Sequence, residues 1–180
     1  MNSDKTSRDA GRRCGDRRRS RTVRRLPKLS LAVASACHLI LAARATTGLG
    51  ADHRHFEPLL FHAWRRANVR VVAADAGYDS EANHTIARRD MGVRSIIPPA
   101  IGRPTDKPPA TPYRRLMRGR FNRKADRKTY GQRWQVETVN SMIKRNLGSA
   151  LRARTARSRS RELLLRCIVH DIMVLEGAKP

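Results

Sequence analysis

Two acidic residues, Asp75 and Glu137, stand where carboxylates can do metal-assisted chemistry. Asp75 closes the apolar run VRVVAA at 69–74 and is followed by Ala76, Gly77 and Tyr78. Open α/β sheets place their ligands at the carboxyl ends of such strands, although a strand-terminal Asp can equally cap the next turn. Arg133, Glu137, Asn140 and Lys144 are spaced by four, three and four positions. At about 100° per residue they share one helix face. On spacing alone this also describes an ordinary amphipathic helix with an Arg–Glu pair. Taken together, Asp75 and Glu137 suit two divalent metals about 4 Å apart, which activate an attacking oxygen and stabilise the leaving oxygen of a phosphodiester. Mg²⁺ (or Mn²⁺) fits hard carboxylate oxygens. Lys144 and Arg133 would then hold substrate phosphates.

The surrounding pattern must position these groups. Leu29, Leu31 and Val33 alternate with small residues, a break follows near Ala36 and Cys37, and Leu39, Ile40 and Leu41 resume. This predicts two strands, joined as a hairpin. Phe56, Leu59, Leu60 and Ala63 recur at helical spacing, predicting a helix over about 52–67 with Asp52 as its N-cap. The run 69–74 lacks polar alternation, as expected of a strand buried on both faces. A helix over 79–91, N-capped by Asp79, and a buried strand over 93–97 follow. The order strand, strand, helix, strand, helix, strand argues for a layered α/β domain. Residues 98–130 hold six of the nine prolines with ten Lys and Arg, and are expected to form a long Pro/Arg-rich loop, at about 98–129. Beyond it, a helix is predicted from about Tyr130 to Leu147, docked through Val136, Val139, Ile143 and Leu147, and a last amphipathic helix over 163–175.

Charge sets the partner class. The 180 residues carry 39 Lys and Arg against 15 Asp and Glu, a formal net charge of +24. Seven of the cations are Lys, so most are guanidinium groups, which match phosphate oxygens bidentately. A GC-rich coding bias inflates Arg without giving it a task, yet this balance favours polyanions. Residues 1–28 carry eleven Lys and Arg with almost no apolar periodicity, and read as a basic, disordered leader. The uncharged run 29–43 is short of the roughly 20 residues of a membrane span. A signal peptide is its rival reading, because an Arg-rich leader precedes it. Three distant cysteines suggest neither a disulfide framework nor a zinc site. A reducing, cytoplasmic setting fits.

The residues Tyr130, Arg133, Glu137 and Lys144 read Y-x2-R-x3-E-x6-K. This resembles the signature of bacterial insertion-sequence transposases of the DDE superfamily, which have a ribonuclease-H-like fold. The segment VVAADAGYDSEANH is similar to the block holding that family's second catalytic Asp, which maps to Asp75. The resemblance spans about residues 20–175. It implies that Asp75 and Glu137 are catalytic metal ligands, and that Tyr130, Arg133 and Lys144 position double-stranded DNA, as transposon ends and target, and its cut end. It also implies a homodimer at synapsed ends.

In that family a first catalytic Asp lies on an opening strand, before a small residue and glycine. Asp4, Asp9 and Asp16 are the upstream candidates here, and their neighbours Ser, Arg, Lys and Gly do not make an apolar strand. The sequence therefore reads as the carboxy-terminal part of a longer transposase: a truncated core over 29–176, a ribonuclease-H-like mixed sheet flanked by helices, lacking its first strand. Such a chain is expected not to transpose DNA alone. The other class consistent with the sequence is a non-catalytic basic nucleic-acid-binding protein.

Other residues carry less. Asp52, His53, His55 and His62 fit a helix start with exposed histidines better than a metal cluster. Trp134 and Tyr78 offer rings for base stacking or for packing. The five arginines of 151–161, Arg152 and Arg154 among them, read as a phosphate-contacting arm.

Overall fold

A computed structural model describes residues 27–46, 52–100 and 109–177. The expected leader lies almost wholly outside these residues, as do Asp4, Asp9 and Asp16. The apolar alternation after Pro27 gives an antiparallel hairpin of β1 (Lys28–Val33) and β2 (Ile40–Thr46). Lys28 stands opposite Thr46, and the register shifts between Ala32 and Val33. The run 29–43 is therefore strand and turn. His38 takes φ 61° in that turn, a left-handed conformation a non-glycine residue adopts only when its surroundings hold it. Here they do: His170 contacts the His38 carbonyl at 3.1 Å through Nε2, and the His38 ring hydrogen-bonds to Gln135.

The first helix forms as spaced, as α1 (Phe56–Arg66), with Phe56, Leu59, Leu60 and Ala63 buried. Its start differs. Asp52 opens a separate 3-10 turn, Asp52–His55, and His55 occupies the N-cap of α1 without a side-chain cap bond. His55 is also buried rather than exposed, 3.0 Å from Ser30 Oγ.

The strands β3 (Val71–Ala73) and β4 (Arg94–Ile96) pair in parallel, Val71 opposite Arg94. Helix α2 (Glu81–Thr85), continued by a wider turn Ile86–Asp90, connects them. Val93, Ser95, Ile96 and Ile97 are buried as expected. β3 is only half-buried, which corrects the expectation of full burial. The physical reason is its free edge: among the described residues β1–β2 and β3–β4 are two separate two-stranded sheets. β3 and β1 both face a cavity of about 460 Å³.

The expectation of a long loop at about 98–129 is corrected too. Residues 109–131 contain α3 (Pro112–Arg120) and α4 (Lys124–Gly131). Pro112 sits in the first turn of α3, where its missing N–H costs nothing and its fixed φ suits a helix. The first free N–H groups of that helix find a partner outside it. Tyr113 N and Arg114 N donate to the Glu81 carboxylate at 3.0 and 3.1 Å, so α2 caps α3 from a distance. Burial pulls the Glu81 pKa up, but the two backbone hydrogen bonds outweigh it and lower the pKa.

Asp79 was expected to cap α2, but Ser80 does so, accepting from Asn83 N at 3.1 Å. The signature helix is α5 (Trp134–Leu147), and the last helix is longer than expected, α6 (Ala156–Gly177). Tyr130 ends α4 instead of starting the signature helix. Val139 and Ile143 of α5 pack with Cys167 of α6 against Leu29, Leu31, Val33, Ile40 and Ala43 of the hairpin. A second core holds Phe56, Leu60, Ala87, Val93 and Ile97. No helix among the described residues is long and apolar enough to cross a membrane.

Candidate active site

Asp75 and Glu137 come from different elements and meet around one guanidinium. β3 ends at Ala73, and Asp75 precedes a 3-10 turn at Ala76–Tyr78. Tyr78 closes that turn against the core, its ring 6.1 Å from Phe56, which anchors the segment carrying Asp75. Glu137 lies in the first turn of α5. Arg133 Nη1 lies 2.9 Å from Asp75 Oδ1 and 2.9 Å from Glu137 Oε1. The Glu137 contact is the local i,i+4 pair, whereas the Asp75 contact joins helix to sheet.

The guanidinium is held from behind as well. It lies 5.7 Å from the centre of the Tyr130 ring, a cation–π distance, and Phe121 meets that ring edge-on at 5.0 Å. Burial works against the charged form of Arg133, but Asp75, Tyr130 and Glu137 outweigh it and raise its pKa. Burial first, then Asp75 and Glu137, push the Tyr130 phenol above its ordinary value, so its hydroxyl keeps its proton.

Asp75, Arg133, Glu137 and Asn140 line the cavity between the half-sheets, along with Gln132 and Gln135. Both carboxylates are open to solvent, 57 % exposed at Asp75 and 63 % at Glu137. Their donor set suits a hard divalent cation: two carboxylate oxygens converge on a single point that is open to solvent on one side. Among the described residues no three His, Cys, Asp or Glu side chains gather into a metal site. Asp75 and Glu137 are joined as a pair through Arg133.

Lys144 is exposed, further along α5, and does not line the cavity. Arg152 and Arg154 are exposed before α6. Their loop is built by Glu162, which accepts from Arg152 N at 3.0 Å and Ala153 N at 2.9 Å. Arg166 bonds the carbonyls of Gly148 and Ala150. Trp134, beside the site, is 53 % exposed.

The sequence profile of the transposase DDE domain family matches residues 4–172. The chain belongs to that family. The transposase domain acts on DNA, and the mixed α/β arrangement of small sheets and helices is consistent with a ribonuclease-H-like fold. No curated protein matches the chain, and no solved structure does.

Sequence reasoning missed three groups around this candidate site. Gln135, next to the pair, ties α5 to the hairpin turn through His38. Phe121 supports Tyr130. Behind α2, Asp79, His84, Arg88, Ser95 and Arg114 form a buried polar network. The apolar triplet Tyr113, Leu116 and Met117, after Pro112, was the available signal for the helix that positions Phe121 and Arg114.

Proposed function

We propose that this transposase domain carries out metal-dependent cleavage and transfer of DNA strands at insertion-sequence ends. Asp75 and Glu137 are two of its catalytic metal ligands. The observation that carries this reading is the convergence of both carboxylates on Arg133, which brings a strand-end Asp and a helix Glu to one open cavity. A bound Mg²⁺ or Mn²⁺ would activate the attacking oxygen and stabilise charge on the leaving oxygen. Arg133 and Tyr130 would orient DNA phosphates at that point, and Lys144, Arg152 and Arg154 would track the backbone on either side. Bidentate guanidinium–phosphate contacts suit this task.

The reading includes an incomplete triad. The cavity between the open edges of β1 and β3 supports a place for a further strand beside Asp75, and only two carboxylates gather at the site among the described residues. The chain alone is therefore proposed to bind DNA without transferring strands. Incubating the purified chain with transposon-end DNA and a target, in Mg²⁺ or Mn²⁺, tests this: joined products would overturn it. The homodimer finds support in the outer face of α6, where Leu165, Ile168, Ile172 and Leu175 are each more than half exposed. Sedimentation of the chain alone and with I168R/I172R reads that association.

A further inference from the structure

The geometry points to Arg133 as an internal cation that occupies the metal position between Asp75 and Glu137, so that divalent metal and Arg133 compete for the same carboxylates. This rests on the proposal that those two residues ligate metal.

Both carboxylate oxygens lie 2.9 Å from one nitrogen, Arg133 Nη1. Two carboxylates brought this close repel each other unless a positive charge stands between them. In the chain as folded, that charge is the guanidinium. Mg²⁺ takes oxygen ligands at about 2.0–2.1 Å, and an arginine held between those ligands repels it. The Tyr130 ring backs the guanidinium at 5.7 Å, a cation–π contact that does not depend on the carboxylates. DNA phosphate offers the guanidinium another partner. The consequence is reciprocal coupling. Metal binding frees Arg133 for a phosphate, and a phosphate that captures Arg133 opens the carboxylates to metal.

The test is Mn²⁺ binding to the full chain, followed by the paramagnetic resonance signal of free Mn²⁺. R133Q is expected to bind Mn²⁺ about 5- to 10-fold more tightly than the unmodified chain, in the range of ordinary coupling between sites. R133K, which keeps the charge, should stay close to the unmodified chain. Adding D75N or E137Q to R133Q should abolish the binding. Equal or weaker binding by R133Q overturns the inference, and weaker binding shows that Arg133 gathers the carboxylates for the metal instead of competing with it. If R133Q binds no Mn²⁺, or binds it regardless of D75N and E137Q, the metal-site reading itself fails and the inference falls with it.

A second measurement needs no substitution at Arg133. The Nε–H resonance of Arg133 in the unmodified chain should shift as diamagnetic Mg²⁺ saturates the site. An Arg133 resonance that stays fixed while Mg²⁺ binds overturns the competition, whether or not R133Q folds.

Discussion

Arg114 reaches the buried carboxylate of Asp79 with two nitrogens, Nε at 3.1 Å and Nη2 at 3.0 Å from the same oxygen. Asp79 is 1 % exposed and also accepts from Ala100 N at 2.9 Å. The pair fastens α3 to the start of α2, and α3 in turn brings Phe121 under Tyr130. Removing the cation leaves a buried charge without its partner. R114A should lower stability by roughly 3 kcal/mol, at the low end for breaking a buried pair because Arg114 is partly exposed. R114A/D79N should recover part of that loss. Urea midpoints of the two variants check it.

The same network makes stability depend on pH. His84 is fully buried, its Nδ1 2.7 Å from Ser95 Oγ, which also accepts from Arg88 Nε at 2.9 Å. Burial lowers the His84 pKa below 6.5; Asp79 and Glu81 pull it up and Arg88 pushes it down. The unfolded chain therefore binds the additional proton first. Stability contributed by neutral His84 is complete above about pH 6.5 and falls as pH drops below it. H84Q should flatten the loss between about pH 6.5 and 5, upstream of the carboxylate range. Urea unfolding across that interval would refute the assignment if both chains lost stability in parallel.

A substitution at Glu137 would separate the proposed catalysis from binding. Its side chain is 63 % exposed, so E137A should change stability by only about 0.5 kcal/mol. Metal-free binding to duplex DNA should be unchanged or tighter, because a carboxylate repels phosphates. Any metal-dependent increase in binding should disappear. Unfolding of E137A would assign Glu137 a structural role.

DNA affinity should fall steeply with salt, since each phosphate contact contributes about 0.9 to the logarithmic slope. Arg152 and Arg154 project from a loop whose backbone is held by Glu162, so R152Q/R154Q should keep the fold. It should reduce the slope by about 2 and weaken binding evenly across sequences. A slope identical to that of the unmodified chain removes these two residues from the interface.

Thiol chemistry reads the packing of α6. Cys37 is exposed in the hairpin turn, whereas Cys167 is buried against Val139 and Ile143. Burial, with Asp171 adding, pushes the Cys167 thiol up to about 11. Alkylation of the native chain near neutral pH should label Cys37 quickly and Cys167 only on unfolding, by peptide mass spectrometry. Comparable rates would mean that α6 does not stay docked.

What the sequence determined by itself about this transposase domain is what short-range spacing determines. Alternation gave the hairpin, 3.6-residue spacing gave α1 and α5, and the i,i+4 step gave the Arg133–Glu137 pair, because each depends on neighbours within a turn or a strand. The strand-end Asp75 was readable for the same reason, whereas Tyr130 was readable only through the resemblance of the signature to a known family. Tertiary structure alone decided the Asp75–Arg133 contact, the burial of Asp79 away from its expected cap, and the open edge of β3. It also decided that residues beyond the prolines fold into α3, whose first N–H groups are capped by Glu81 of another helix. Each of these joins groups far apart in the chain, where closure of the fold, and not local propensity, chooses the partner.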